Sequence, residues 1–162
     1  MHLIAIFIAL LTFTTACNSD TPESTIVNVM ESPFFINEDS VTLMELNTID
    51  KRPMVVNLWA TWCAPCLEEM PDLEIAHRAH SDAIRFIGIN ISDSPTKANK
   101  TAADLKITYL LGRDPKGDLV TALGSIGLPV TVFVNSSGVI DDIHYGPISS
   151  DQLKLAMQEY LK

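Results

Sequence analysis

The stretch Met54-Val-Val-Asn-Leu-Trp-Ala-Thr-Trp-Cys-Ala-Pro-Cys-Leu-Glu-Glu-Met-Pro71 decides how this chain is read. Its first part, 54 to 60, is an apolar run without polar alternation, which predicts a central strand covered on both faces. The pattern then turns helical from Cys63 to about His80, with Leu67, Met70, Leu73, Ile75 and Ala76 set against Glu68, Glu69, Asp72 and Glu74. Cys63 therefore falls at the opening of a helix, beside unpaired backbone N–H groups and the positive end of the helix dipole, where a thiolate is favoured over a thiol. Because the thiolate is the attacking species in thiol–disulfide exchange, Cys63 is expected to be the nucleophile and Cys66, one turn further in, the resolving thiol. Pro71 lies inside the helix, where it removes the hydrogen bond to the Leu67 carbonyl and is expected to kink it. Glu68 and Glu69 are expected to be charges on the helix surface.

Working outward, Arg85-Phe-Ile-Gly-Ile-Asn-Ile91 reads as a second buried strand, and Ser94-Pro95 opens a helix expected to run to Lys106. A short strand over 107 to 111 and a helix over 117 to 123 follow. Val130 to Asn135 and Val139 to Tyr145 read as an antiparallel hairpin with Gly138 in the turn. Ser149 or Ser150 caps a last helix that buries Leu153, Leu155, Ala156, Met157, Tyr160 and Leu161. Toward the N-terminus, Phe34 to Leu46 suggests a hairpin, Phe34-Phe35-Ile36 and Val41-Thr42-Leu43 about Asn37 to Ser40. The order of elements predicts an α/β domain with a mixed central sheet and helices on both faces.

The start of the chain has a different character. Residues 3 to 13 are uncharged and apolar but too short to span a bilayer comfortably, and small residues precede Cys17, so 1–17 reads as an export signal, that of a lipoprotein ahead of an uncleaved membrane anchor or a plain secretory peptide. Residues 18–32, rich in Asn, Ser, Asp, Thr, Pro and Glu, read as a flexible tether, leaving 33–162 as the domain. Export makes an envelope location the expectation. A dithiol outside the cytosol that acts as a reductant needs an electron donor in the membrane. The 162 residues, 47% apolar, suffice for one core, and a net charge of -9 argues against non-specific binding to nucleic acid or to an anionic membrane surface.

The segments 56–71 and Gly-Leu-Pro-Val-Thr-Val-Phe-Val (127–134) together resemble the thioredoxin superfamily, in its exported, membrane-tethered TlpA/ResA/CcmG-like branch. That resemblance implies a three-layer thioredoxin-like fold with an N-terminal hairpin and a central strand–helix insertion at about 84 to 106. It implies that Pro129 is a cis-proline facing the dithiol, with Leu128 before it offering backbone groups to an extended substrate. It further implies disulfide reduction on envelope proteins, apocytochrome c among them, electrons from a membrane thiol transporter of the DsbD/CcdA type, and no cofactor. Cys17 is similar to the lipid-bearing cysteine of bacterial lipoproteins, although Thr14 and the lack of Lys or Arg before the apolar segment depart from that pattern.

Asn57 stands where cytoplasmic thioredoxins bury a carboxylate beneath the resolving cysteine, and an amide cannot take its proton. Asp93, past the second strand, is similar in place to an acid of ResA-like proteins and is the candidate proton acceptor; the competing reading is a helix cap in Ser92-Asp93-Ser94-Pro95. Trp62 is expected to be an exposed docking surface and Trp59 core. Zinc bound by Cys63, Cys66, His77 and His80 is disfavoured, since His77 lies about 16 Å along the helix from Cys66 at 1.5 Å per residue; His77 and His80 are expected at the surface. A thiol peroxidase would need Thr at position 60, which is Ala60. A disulfide oxidase or isomerase of the same fold, and a tethered peptide-binding module without turnover, are the remaining alternatives.

Overall fold

The computed structural model describes residues 28–160. The signal segment 1–17 with Cys17, and most of the tether, lie outside the described residues. The tether boundary needs correction: residues 28–31 are helical, and Val29 and Met30 are fully buried in the domain core.

The elements run β1 (Phe34–Ile36), β2 (Asp39–Val41), α1 (Leu43–Asp50), β3 (Met54–Trp59), α2 (Ala64–His80), β4 (Arg85–Ile91), α3 (Pro95–Asp104), β5 (Leu110–Asp114), α4 (Asp118–Ala122), β6 (Val130–Val134), β7 (Ile140–Tyr145) and α5 (Ser150–Tyr160). The strands form one sheet in the order β2-β1-β5-β4-β3-β6-β7. β3 pairs in parallel with β4 and antiparallel with β6, so it lies inside the sheet with a partner on each side, as its unbroken apolar run predicts.

Alternation along β3 sorts two cores. Met54, Val56 and Leu58 face α1 and α4 with Leu43, Leu46, Leu119 and Leu123. Val55 and Trp59 face the opposite layer, where Cys66, Met70 and Leu73 of α2 meet Leu153 and Met157 of α5 and Ala98 and Ala102 of α3. This is the expected three-layer arrangement with helices on both faces.

Several local expectations are corrected. The N-terminal hairpin turns at Asn37 and Glu38 alone, both at positive φ, and β2 ends at Val41. Thr42 then opens α1, absent from the sequence reading. Its hydroxyl accepts the Glu45 N–H at 3.1 Å while the Glu45 carboxylate accepts the Thr42 N–H at 2.8 Å, the capping box that Thr42-Leu-Met-Glu45 spells. β5 lies three residues later than expected, because the Glu74 carboxylate takes the Thr108 N–H at 2.8 Å and holds that residue off the sheet. Ile75 and Leu155 are about two-thirds exposed, whereas Glu69 and Glu74 of α2 are buried. His77 is not a free surface group: its ring packs edge-on against Phe86 and Tyr109. The helix α2 runs through Pro71, and Ser149 is the residue that caps α5, its hydroxyl accepting the Gln152 N–H.

Gly88 of β4 is required by close packing: a Cβ there would lie 2.8 Å from Tyr109 Cε2 and 3.2 Å from Leu111 Cδ2. Gly88→Ala should cost about 1–3 kcal/mol by overpacking. Urea unfolding monitored by circular dichroism measures it, with an unchanged m-value expected.

Candidate active site

The end of β3 and the start of α2 are held by two sets of hydrogen bonds. The Cys63 N–H donates to the Ala60 carbonyl at 3.1 Å, closing a turn over Thr61 and Trp62. Asp93, just past β4, braces that turn: one carboxylate oxygen accepts the Thr61 N–H at 2.7 Å and the Asn90 amide at 3.0 Å, the other the Thr61 hydroxyl at 2.8 Å. Partial burial pushes the Asp93 carboxyl upward, but these donors and the nearby Lys97 ammonium outweigh it and hold the group below the usual carboxylate range.

Cys63 is the N-cap of α2, with extended backbone, and its sulfur accepts the Cys66 N–H at 3.3 Å. Ala64 and Pro65 occupy the first turn, where the missing proline N–H costs no helix hydrogen bond. The two cysteines are joined as a disulfide with Cα atoms 5.3 Å apart. Cys66 is fully buried, and Cys63 only slightly exposed. The Cys63 sulfur thus faces a backbone donor at a helix N-terminus.

The Leu128–Pro129 peptide is cis. Val130 pairs with Leu58 in register, so the Gly127-Leu-Pro129 segment lies at the same end of the sheet as Cys63. Ile126, Leu128, Pro129 and Tyr145 line a concavity of about 530 Å³ beside it. Trp62 stands 63% exposed on the turn before Cys63, and Trp59 is buried, as the sequence predicts. Trp62, Cys63, Cys66, Asp93, Leu128 and Pro129 thus gather at one end of the sheet, while Cys17 lies outside the described residues.

One group escaped the sequence reading. Glu69 is buried, not a surface charge, three residues past Cys66 on the same side of α2. One of its oxygens accepts the Asn57 amide at 2.7 Å and the other the Ile148 N–H at 2.8 Å; the Asn57 amide also donates to Thr131 Oγ1 at 3.1 Å. Asn57 therefore does not leave the space beneath the helix without a carboxylate. It holds one supplied from α2. Burial raises the Glu69 carboxyl above its ordinary range, against the lowering effect of the Ile148 and Asn57 donors and of His144. The signal available in sequence was the spacing Cys66-x-x-Glu69, which places both side chains on one helical stripe.

Comparison with known proteins fits this geometry. The profile of the Redoxin family matches residues 37–157, most of the chain. The chain belongs to the Redoxin family. Among relatives of this redoxin, the thiol:disulfide interchange protein DsbE of Pseudomonas fluorescens biotype C is 37% identical over 98 residues, covering 60% of this chain and 53% of that protein. Sporulation thiol-disulfide oxidoreductase A of Bacillus subtilis is 28% identical over 104 residues, covering 62% and 63%. The chain thus spans between half and two-thirds of the length of these curated relatives. The solved structure of MTB dsbF superposes with a TM-score of 0.71 at 20% identity, over 81% of this chain and 96% of that one, which establishes the thioredoxin-like fold.

The raised Glu69 carboxyl fixes a pH dependence. A carboxyl whose folded pKa exceeds its unfolded value, about 4.3, contributes stability below that value and loses it as pH rises through the folded pKa. Relative to Glu69→Gln, which cannot ionise, the wild-type oxidised protein should therefore become less stable as pH rises from 4 toward neutrality. Parallel urea titrations of the two proteins across that range measure the difference.

Proposed function

We propose that this redoxin is an exported thiol–disulfide oxidoreductase working as a reductase of protein disulfides. The observation that carries the reading is the buried Cys63–Cys66 pair at the opening of α2, with the Cys63 sulfur on the Cys66 N–H. In the reduced protein the Cys63 thiolate attacks one sulfur of a partner disulfide. A Cys63–partner bond forms, and the other partner sulfur leaves as a thiolate that takes up a proton. Cys66 then loses its proton and attacks the Cys63 sulfur, forming Cys63–Cys66 and releasing the second partner thiolate. Two electrons pass to the partner in all.

The proton of Cys66 goes to Glu69, the buried carboxylate one turn further along α2, whose raised affinity for protons suits it to accept one from a thiol. Asp93, the acceptor expected from sequence, is assigned instead to bracing the Thr61–Cys63 turn. Its donors outweigh the effect of burial and stabilise the ionised form, the opposite of the balance at Glu69. Leu128 and Pro129 bind the partner as an extended segment, and Trp62 packs against it.

The substrates we propose are disulfides of envelope proteins, including those of apocytochrome c, with electrons returned by a membrane thiol transporter of the DsbD/CcdA type. Anchoring is through a lipid on Cys17 after removal of the preceding segment. The resemblance to ResA- and CcmG-like proteins supports this direction of electron flow, and the thiol:disulfide interchange relatives support the exchange chemistry itself.

In the soluble domain, Cys66→Ser should accumulate a covalent adduct with disulfide-containing partners, visible on non-reducing gels and reversed by dithiothreitol. Cys63→Ser should accumulate none. Equal trapping by the two variants would overturn the division of roles.

A further inference from the structure

Across the sheet, Gly88, Asn57, Thr131 and His144 form one register row through β4, β3, β6 and β7. Asn57 and Thr131 meet beneath Glu69, and the row ends at His144 on the edge strand β7. The His144 ring nitrogen Nε2 lies 3.1 Å from the Pro147 carbonyl, so it must donate there. Directly after Pro147, the Ile148 N–H donates to Glu69 at 2.8 Å. Ile148 is itself buried against the α2 layer. The segment between β7 and α5 thus hydrogen-bonds the Glu69 carboxylate immediately beyond the carbonyl that His144 holds.

We propose that His144 is a positioning residue of the dithiol site: by donating to the Pro147 carbonyl it sets the turn that presents the Ile148 N–H to Glu69. The neighbours of Glu69 from β3 and β6, Asn57 and Thr131, carry no charge, and α5 turns Leu153 and Met157 inward. The titratable groups around the carboxylate in the oxidised protein are His144 on β7 and the buried phenol of Tyr109 ahead of β5, Cys66 being tied in the disulfide. His144 is the one that reaches Glu69 through backbone as well as through space. An uncharged side chain with a donor at the same reach keeps the first route and loses the second.

The consequence at the dithiol rests on the reading of Glu69 as proton acceptor; the hold of His144 on Glu69 does not. The test follows the Glu69 carboxyl carbon by 13C NMR against pH in the oxidised protein, and the pH profile of the reduction potential, in wild type, His144→Ala and His144→Gln. In His144→Ala the Glu69 titration should move upward by about one pH unit, and the break in the potential profile should move with it. His144→Gln should restore most of both. His144→Phe, which keeps a ring and drops the donor, replaces the Ala variant if circular dichroism shows that one unfolded. An unmoved Glu69 titration on loss of the donor, or a Gln variant that behaves like Ala, overturns the proposal. A Glu69 titration that moves while the potential profile stays fixed leaves His144 in place and overturns Glu69 as proton acceptor.

Discussion

A strand buried on both faces cannot slip by one residue, since every side chain would change sides, and β3 is such a strand, locked between β4 and β6. Its register fixes which of its residues look toward α2, and hence that Asn57 meets Thr131 and Glu69 while Val56 and Leu58 serve the other core. The position of Cys63 follows. It is delivered four residues past the end of β3 by a short turn that Asp93 clamps from the end of the neighbouring strand. The sulfur therefore meets a helix N-terminus already in place, with no loop to reorganise before reaction.

The buried polar groups divide two tasks. Asp93 is surrounded by donors that favour its ionised form, which suits a brace. Glu69 is dominated by burial, which favours its protonated form, and carries just enough donors to be tolerated inside the core. Two carboxylates near one dithiol, with proton affinities pushed in opposite directions by their surroundings, can thus hold different roles at one pH. The surface beside them is apolar: Trp62, Ile126 and Tyr145 are exposed around the cis Leu128–Pro129 segment.

Much of this was legible in sequence because it depends on local pattern. The unbroken apolar run at 54 to 60 and the helical spacing after Cys63 gave the sheet centre and the nucleophile. The alternation from 130 to 145 gave the second hairpin, and Trp59 and Trp62 were sorted by their places relative to the strand end. The failures are of another kind. Helix α1 was signalled by its capping box but is short and follows a β-hairpin, so the hairpin pattern took its first residues. The start of β5 was displaced because Glu74, a residue on another helix, ties down Thr108.

The chain of residues by itself determined that a dithiol opens a helix at the end of a central strand, since periodicity, capping and dipole are properties of neighbours along the backbone. It did not determine which charges of α2 face inward. Glu69 shares the stripe of Cys66, Met70 and Leu73 and Ile75 lies opposite it, but that a carboxylate would be buried on that stripe was decided by Asn57 and Ile148, donors 12 and 79 residues distant that arrive only when the sheet and the last helix close over α2. A carboxylate is buried where donors are waiting for it, and those donors exist only in the folded protein.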